Sequence, residues 1–194
     1  MLKHLSRLRL FALLGGLLLA TACTAGTGND ATAPYTEGTD YVTLPGPAQR
    51  YSAEGKVEVV EVFSYGCIHC AHFAPIAEKL RAALPKGVAF KLVPAPFSAE
   101  WLPFARAYYA AKKLGVVDRT HLRQGVDRAE FMRIATSDAV TAQMKSDLAL
   151  IQKWGVTGTP TIVVDGKYRS GEVHTFDQLS AMTQWLAKQE LAGK

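Results

Sequence analysis

Cys67, Ile68, His69 and Cys70 are the residues of this chain whose types and spacing could do chemistry. Two cysteines separated by two residues can close a small disulfide ring and open it again. If the first stands at the start of a helix, the free N–H groups and the macrodipole favour its thiolate. A protonated His69 would add a second positive neighbour. A dithiol stabilised in this way makes the matching disulfide a strong oxidant. Two other readings stay open. Zinc could be held by Cys67, Cys70 and a histidine such as His72, His121 or His174, although the usual ligand spacing is missing. A structural disulfide is the third reading, although stabilisation grows with loop length and this loop is short. The chain has three cysteines. The third, Cys23, lies near the N-terminus, so no second pair exists to build a four-cysteine zinc site.

Such a pair needs rigid elements around it. Val57–Phe63 is an apolar, β-branched run that reads as a strand with both faces covered. A helix follows over 67–83, with Pro75 inside it to kink it. A second strand is expected over 88–94. Residues 101–114, 128–135 and 138–153 have helical spacing, with Asp138 as a cap for the last. Thr161–Val164 is a strand, Asp165-Gly166 a turn signal, and 167–170 the partner strand. An amphipathic helix over 176–191 closes the chain. The order is strand, helix, strand, helices, hairpin, helix: an α/β sheet interrupted by a helical block.

The N-terminal residues read as an address. Lys3, His4, Arg7 and Arg9 form a basic region, and Leu10–Leu19 an apolar one too short to span a bilayer comfortably. Ala20-Thr21-Ala22 fits a small-residue cleavage site, giving a signal segment over 1–22. Export implies an oxidising compartment, where a reactive disulfide persists. Cys23 follows the cleavage site at once. The stretch resembles a bacterial lipoprotein signal, with Ala20 where such signals favour Leu, so Cys23 is the expected lipidation site. Plain secretion is the alternative. Residues 23–40 read as a flexible tether, rich in turn formers and without an apolar period. The net charge of +5 includes three basic residues of the signal segment. What remains is interspersed, with no basic-aromatic patch for nucleic acid.

Phe63-Ser64-Tyr65-Gly66-Cys67-Ile68-His69-Cys70, with Gly155-Val156-Thr157-Gly158-Thr159-Pro160-Thr161 and the hairpin Val164–Tyr168, resembles the DsbA family of periplasmic thiol:disulfide oxidoreductases. The resemblance spans residues 40–190. It implies a thioredoxin-like fold over 41–96 and 155–194, interrupted by a helical insertion over 97–154. That insertion looks shorter than in better-known members, with 118–127 joining parts that usually have more helix between them. It also implies that a Cys67–Cys70 disulfide is donated to exported proteins with free thiols and restored by a DsbB-like, quinone-linked membrane oxidase. No metal or organic cofactor is expected, and the protein is expected to be a monomer in the periplasm. Cys67 is the exposed, low-pKa member of the pair.

The family places a cis-proline beside the disulfide, which here is Pro160. The backbone of Thr159 can then pair with an extended substrate. Tyr65 and Ile68 are expected to border the same groove, although Tyr65 could simply pack. Thr159 stands where well-known members carry Val and resembles the isomerase branch. A disulfide isomerase or reductase is therefore the alternative function, and a tethered binding module with a structural bridge is the second. Glu61 matches a buried family glutamate that could relay the proton of Cys70; a solvent-reaching carboxylate at the sheet margin is the plainer reading. Glu58 is expected to be exposed, and His72 to be a surface residue. Trp101, Phe104, Tyr108 and Tyr109 have the spacing of an insertion core.

Overall fold

The computed structural model describes residues 33–117, 126–172 and 174–194. The elements are β1 (Tyr41–Thr43), β2 (Val57–Phe63), α1 (Ile68–Ala83), β3 (Val88–Pro94), a 3₁₀ turn (Ala99–Trp101), α2 (Leu102–Lys113), α3 (Arg128–Ala135), α4 (Asp138–Lys153), β4 (Thr161–Val164), β5 (Tyr168–Ser170) and α5 (Phe176–Ala192). The sheet order is β1-β5-β4-β2-β3. Only β2 and β3 run parallel; the other pairs are antiparallel.

All seven residues of β2 are buried, because strands pair on both its edges and helices cover both its faces. The period of two then assigns each side chain. Val57 and Val59 point into a core made with Phe73, Ala77 and Leu80 of α1 and Leu179, Met182 and Leu186 of α5. Val60 and Val62 point the other way, onto Val93, Ile151 and Trp154. Glu61 shares the face of Val57 and Val59, which turns it towards α1. Each buried Val contributes roughly 1.5–3 kcal/mol. The helical block between β3 and β4 packs Ala105, Tyr108, Tyr109, Ile134 and Val140 into a third cluster that also holds Phe63, Cys67 and Cys70. The cysteine pair therefore lies on the seam between sheet and insertion.

Several expectations are corrected. β1 was not expected; its three residues become a strand only through pairing with β5. The cap of α4 is Ser137, whose hydroxyl accepts from the Val140 N–H, and not Asp138. The hairpin turn is one residue longer than expected, so β5 begins at Tyr168. Glu58 is fully buried rather than exposed. Its carboxylate is satisfied there by the N–H groups of Tyr51 and Ser52 and the Ser52 hydroxyl. The expected tether reached residue 40, but Tyr35 stacks near Trp185 at 5.6 Å and Asp40 accepts from Gln178 at 2.8 Å. The signal segment, Cys23 and residues 118–125, on which the expectation of a shorter insertion rests, lie outside the described residues.

Candidate active site

Cys67 is the N-cap residue of α1, with extended backbone angles of φ −100° and ψ 117°. At this position an acceptor side chain faces the N–H groups of the second and third helical residues, here His69 and Cys70. Burial works against ionisation of Cys67. Hydrogen bonding from Thr159, from Cys70 and from the His69 backbone outweighs it, so the thiol lies below its ordinary value. Cys70 lies one turn on and faces inward. Burial is the first cause that pushes it up to about 12, and neighbouring Cys67 adds to this. Two chemically alike side chains thus become unlike acids. The pair is present as two thiols.

The expectation of an exposed Cys67 is not met: the residue is 8 % exposed and Cys70 5 %. The reason is the loop before β4. The Cys67 thiol donates to the Thr159 carbonyl at 3.4 Å, and the Thr159–Pro160 bond that follows is cis. The Thr159 hydroxyl is buried beside the two sulfurs, which it favours as thiolates, and makes no other hydrogen bond among the described residues. His69 is exposed, and its backbone N–H is one of the groups that lower Cys67. Tyr65 and Ile68 flank the pair at 53 % and 62 % exposure. His72 is exposed, as expected.

Glu61 is 4 % exposed, so the solvent-reaching reading fails. It lies in a groove of about 620 Å³ whose lining also includes Cys67, Cys70, Tyr65, Glu78 and Arg81. Burial first, and the charge of Glu78 second, raise its carboxyl to about 7. Among the described residues no three His, Cys, Asp or Glu side chains converge as metal ligands.

Two features escaped the sequence reading. Ser64 is buried and supports the approach to Cys67: its carbonyl accepts from the Cys67 N–H at 3.1 Å and its hydroxyl from Gly66 at 3.1 Å. Gly66 has no room for a side chain, since a Cβ would stand 2.9 Å from the Phe104 ring and 3.0 Å from the Trp101 indole nitrogen. Tyr108 and Tyr109 are insertion core as expected. Phe104 is not; it stays exposed because it lies over Gly66 at the mouth of the site. A glycine directly before the first cysteine was the available signal.

The family model for the DSBA-like thioredoxin domain matches residues 104–184. The thiol:disulfide interchange protein DsbA of Burkholderia cepacia is 30% identical over 187 residues, covering 84% of this chain and 88% of the relative. The chain belongs to the DsbA family. DsbA of Pseudomonas aeruginosa is 33% identical, over 70% of this chain and 75% of its own. The crystal structure of the oxidoreductase DsbA from Xylella fastidiosa superposes with a TM-score of 0.72 at 34% identity, covering 79% and 96% of the two chains. As a DsbA protein the chain is a thiol:disulfide oxidoreductase with a thioredoxin-like fold. The DsbA family works through a redox-active disulfide. No helix among the described residues is long and apolar enough to cross a membrane.

Proposed function

We propose that Cys67 and Cys70 form the disulfide this protein donates to exported polypeptides as they fold. A substrate thiolate attacks Cys67 Sγ, breaks the Cys67–Cys70 bond and forms a mixed disulfide. Cys70 leaves as a thiolate and takes a proton. A second substrate thiolate then attacks the substrate sulfur of the mixed disulfide, and Cys67 leaves as a thiolate. The substrate has lost two electrons and two protons; the protein is now the dithiol. The inequivalence of the two thiols carries this reading. The buried partner is hard to ionise, while the low-pKa sulfur is a good leaving group at the second step.

The other roles follow from position. Glu61, with a carboxyl near 7, is a suitable acid for the departing Cys70 thiolate, whose ordinary range lies far above it. The Thr159 backbone before Pro160 offers a place for an extended substrate to pair, with Tyr65 and Ile68 as apolar flanks. His69 contributes through its N–H. No metal or organic cofactor enters these steps. A DsbB-like, quinone-linked membrane oxidase regenerates the disulfide, and the protein works as a monomer in the periplasm, held to a membrane through lipidated Cys23. The Thr159 hydroxyl beside the sulfurs favours a second reading, isomerase or reductase activity, because a donor beside Cys67 changes the balance of the two redox states.

The test is a redox equilibrium of the purified protein against glutathione, with peptide mapping of iodoacetamide-trapped thiols. An oxidising pair with Cys67 alkylated first at mildly acidic pH is expected. An unreactive disulfide would leave the binding-module reading, and Cys70 reacting first would reverse the roles.

A further inference from the structure

Reduction of the disulfide moves a proton from Glu61 to Cys70 and reoxidation returns it; in the reduced protein between these steps the buried Glu61 exchanges protons with water along some route. The groove beside the sulfurs supplies one. Cys67 and Cys70 lie at one end and Glu61 on its β2 wall. Along α1, Ala74 and Glu78 follow Cys70 at four and eight residues, so the helix carries the groove about 12 Å from the sulfur to an exposed carboxylate. Among the described residues lining it, the titratable and charged groups are Glu61 from β2, Tyr65 from the following loop, and Cys67, Cys70, Glu78 and Arg81 at or on α1. The β3 wall offers Phe90 and Leu92, and the segment after α2 offers Val117, all without charge.

We propose that Glu78 is the outer proton-exchange group of this site, acting on the chemistry through Glu61 without touching either sulfur. The inference rests on reading Glu61 as the proton partner of Cys70. Two observations support it. Glu78 is the other acid of the groove among the described residues, and it sits where the groove meets water. Its negative charge also opposes ionisation of Glu61, second only to burial. With Glu78 ionised, Glu61 holds its proton until the Cys70 thiolate needs it, and a proton from water replaces it by way of Glu78. Among the described residues the β3 wall and Val117 offer no other titratable group.

The experiment follows the pH dependence of one step. The full chain is trapped as a Cys67–glutathione mixed disulfide, and release of glutathione by Cys70 is timed across pH. The Glu61 carboxyl of the reduced protein is titrated by ¹³C NMR alongside. In this direction Glu61 accepts the Cys70 proton, so release should rise with a midpoint near 7. Glu78→Gln should lower both midpoints by roughly half a pH unit, the size expected for one charge removed across a partly solvated gap. Glu78→Asp should restore most of the shift, which a purely structural role would not do. In a Glu61→Gln background Glu78→Gln should change nothing further. Unmoved midpoints in Glu78→Gln, or a shift that persists without Glu61, would overturn the inference while leaving Glu61 in its role. A Glu61→Gln protein with the parental profile would remove the Glu61 reading and this inference with it.

Discussion

The sulfur of Cys67 meets Thr159 through space and His69 through the backbone. Substituting the two therefore gives unequal effects. Thr159→Val keeps the shape and removes the hydroxyl. It should raise the alkylation midpoint of Cys67 and make the disulfide less oxidising, by about 30 mV for each tenfold change in the equilibrium. It should not weaken the fold, because the buried hydroxyl it removes faces the two site sulfurs and makes no other hydrogen bond among the described residues. His69→Ala keeps the N–H and removes only an exposed imidazole, so its shift should be smaller. Glutathione equilibria of both variants decide the order, and a larger effect from His69→Ala would restore the imidazole to the mechanism. Glu61 makes a separate prediction. Its folded carboxyl lies near 7 against 4.5 for the ordinary group. Between those values the unfolded chain gives up the proton first, so rising pH favours unfolding of the parent. Glu61→Gln, a neutral isostere, should gain on the order of 3 kcal/mol over the parent as pH rises through that window and level off above it. Urea unfolding of the reduced proteins at pH 5 and pH 8 measures this, and a difference independent of pH would count against a protonated Glu61.

Helices in this chain announce themselves by period, and their ends by side chains of one or two atoms. Ser137 and Asp138 are adjacent and both can cap; only the geometry of the turn after α3 brings the Ser137 hydroxyl to the Val140 N–H. Ser137→Ala should cost about 1 kcal/mol, and Asp138→Ala clearly less. Thermal unfolding of the two variants separates them. The β4–β5 hairpin is held from outside as well as by its turn. Gly166 has φ +62°, and a Cβ there would stand 2.2 Å from the backbone of Gln49. Gly166→Ala should therefore destabilise by more than about 2 kcal/mol, because backbone cannot give way as a side-chain tip can. A cost within a few tenths would mean that the Gln49 segment is not packed there. The strand β1 was illegible for a related reason. Three residues carry too little pattern to be read, and its pairing partner lies more than 120 residues along the chain.

The whole molecule makes a prediction about where it sits. The compact unit begins at Pro34 and its first residues already pack on α5. If Cys23 carries lipid, about ten residues of sequence separate it from the compact unit. Cys23→Ser should move the protein from the membrane to the soluble fraction and leave thiol oxidation in vitro intact. A parent protein found soluble, with Cys23 unmodified by mass spectrometry, would leave ordinary secretion. One acyl chain anchors only marginally, so stable attachment requires several.

The sequence by itself determined whatever is written in local pattern. The proline beside the cysteine pair came from the family resemblance; Val57–Phe63 as a strand, and the pair where that strand gives way to a helix, are legible in the chain itself. Those features depend on neighbours within a few residues, and neighbours in sequence are visible. Tertiary structure decided what depends on distance between segments. It covered Cys67 with Thr159, put Phe104 and Trp101 over Gly66, hid Glu58 under residues 51–52, and brought Glu78 into the groove of Glu61. Burial and charge act through space, so the acidity of each group in the site was set only when these segments met.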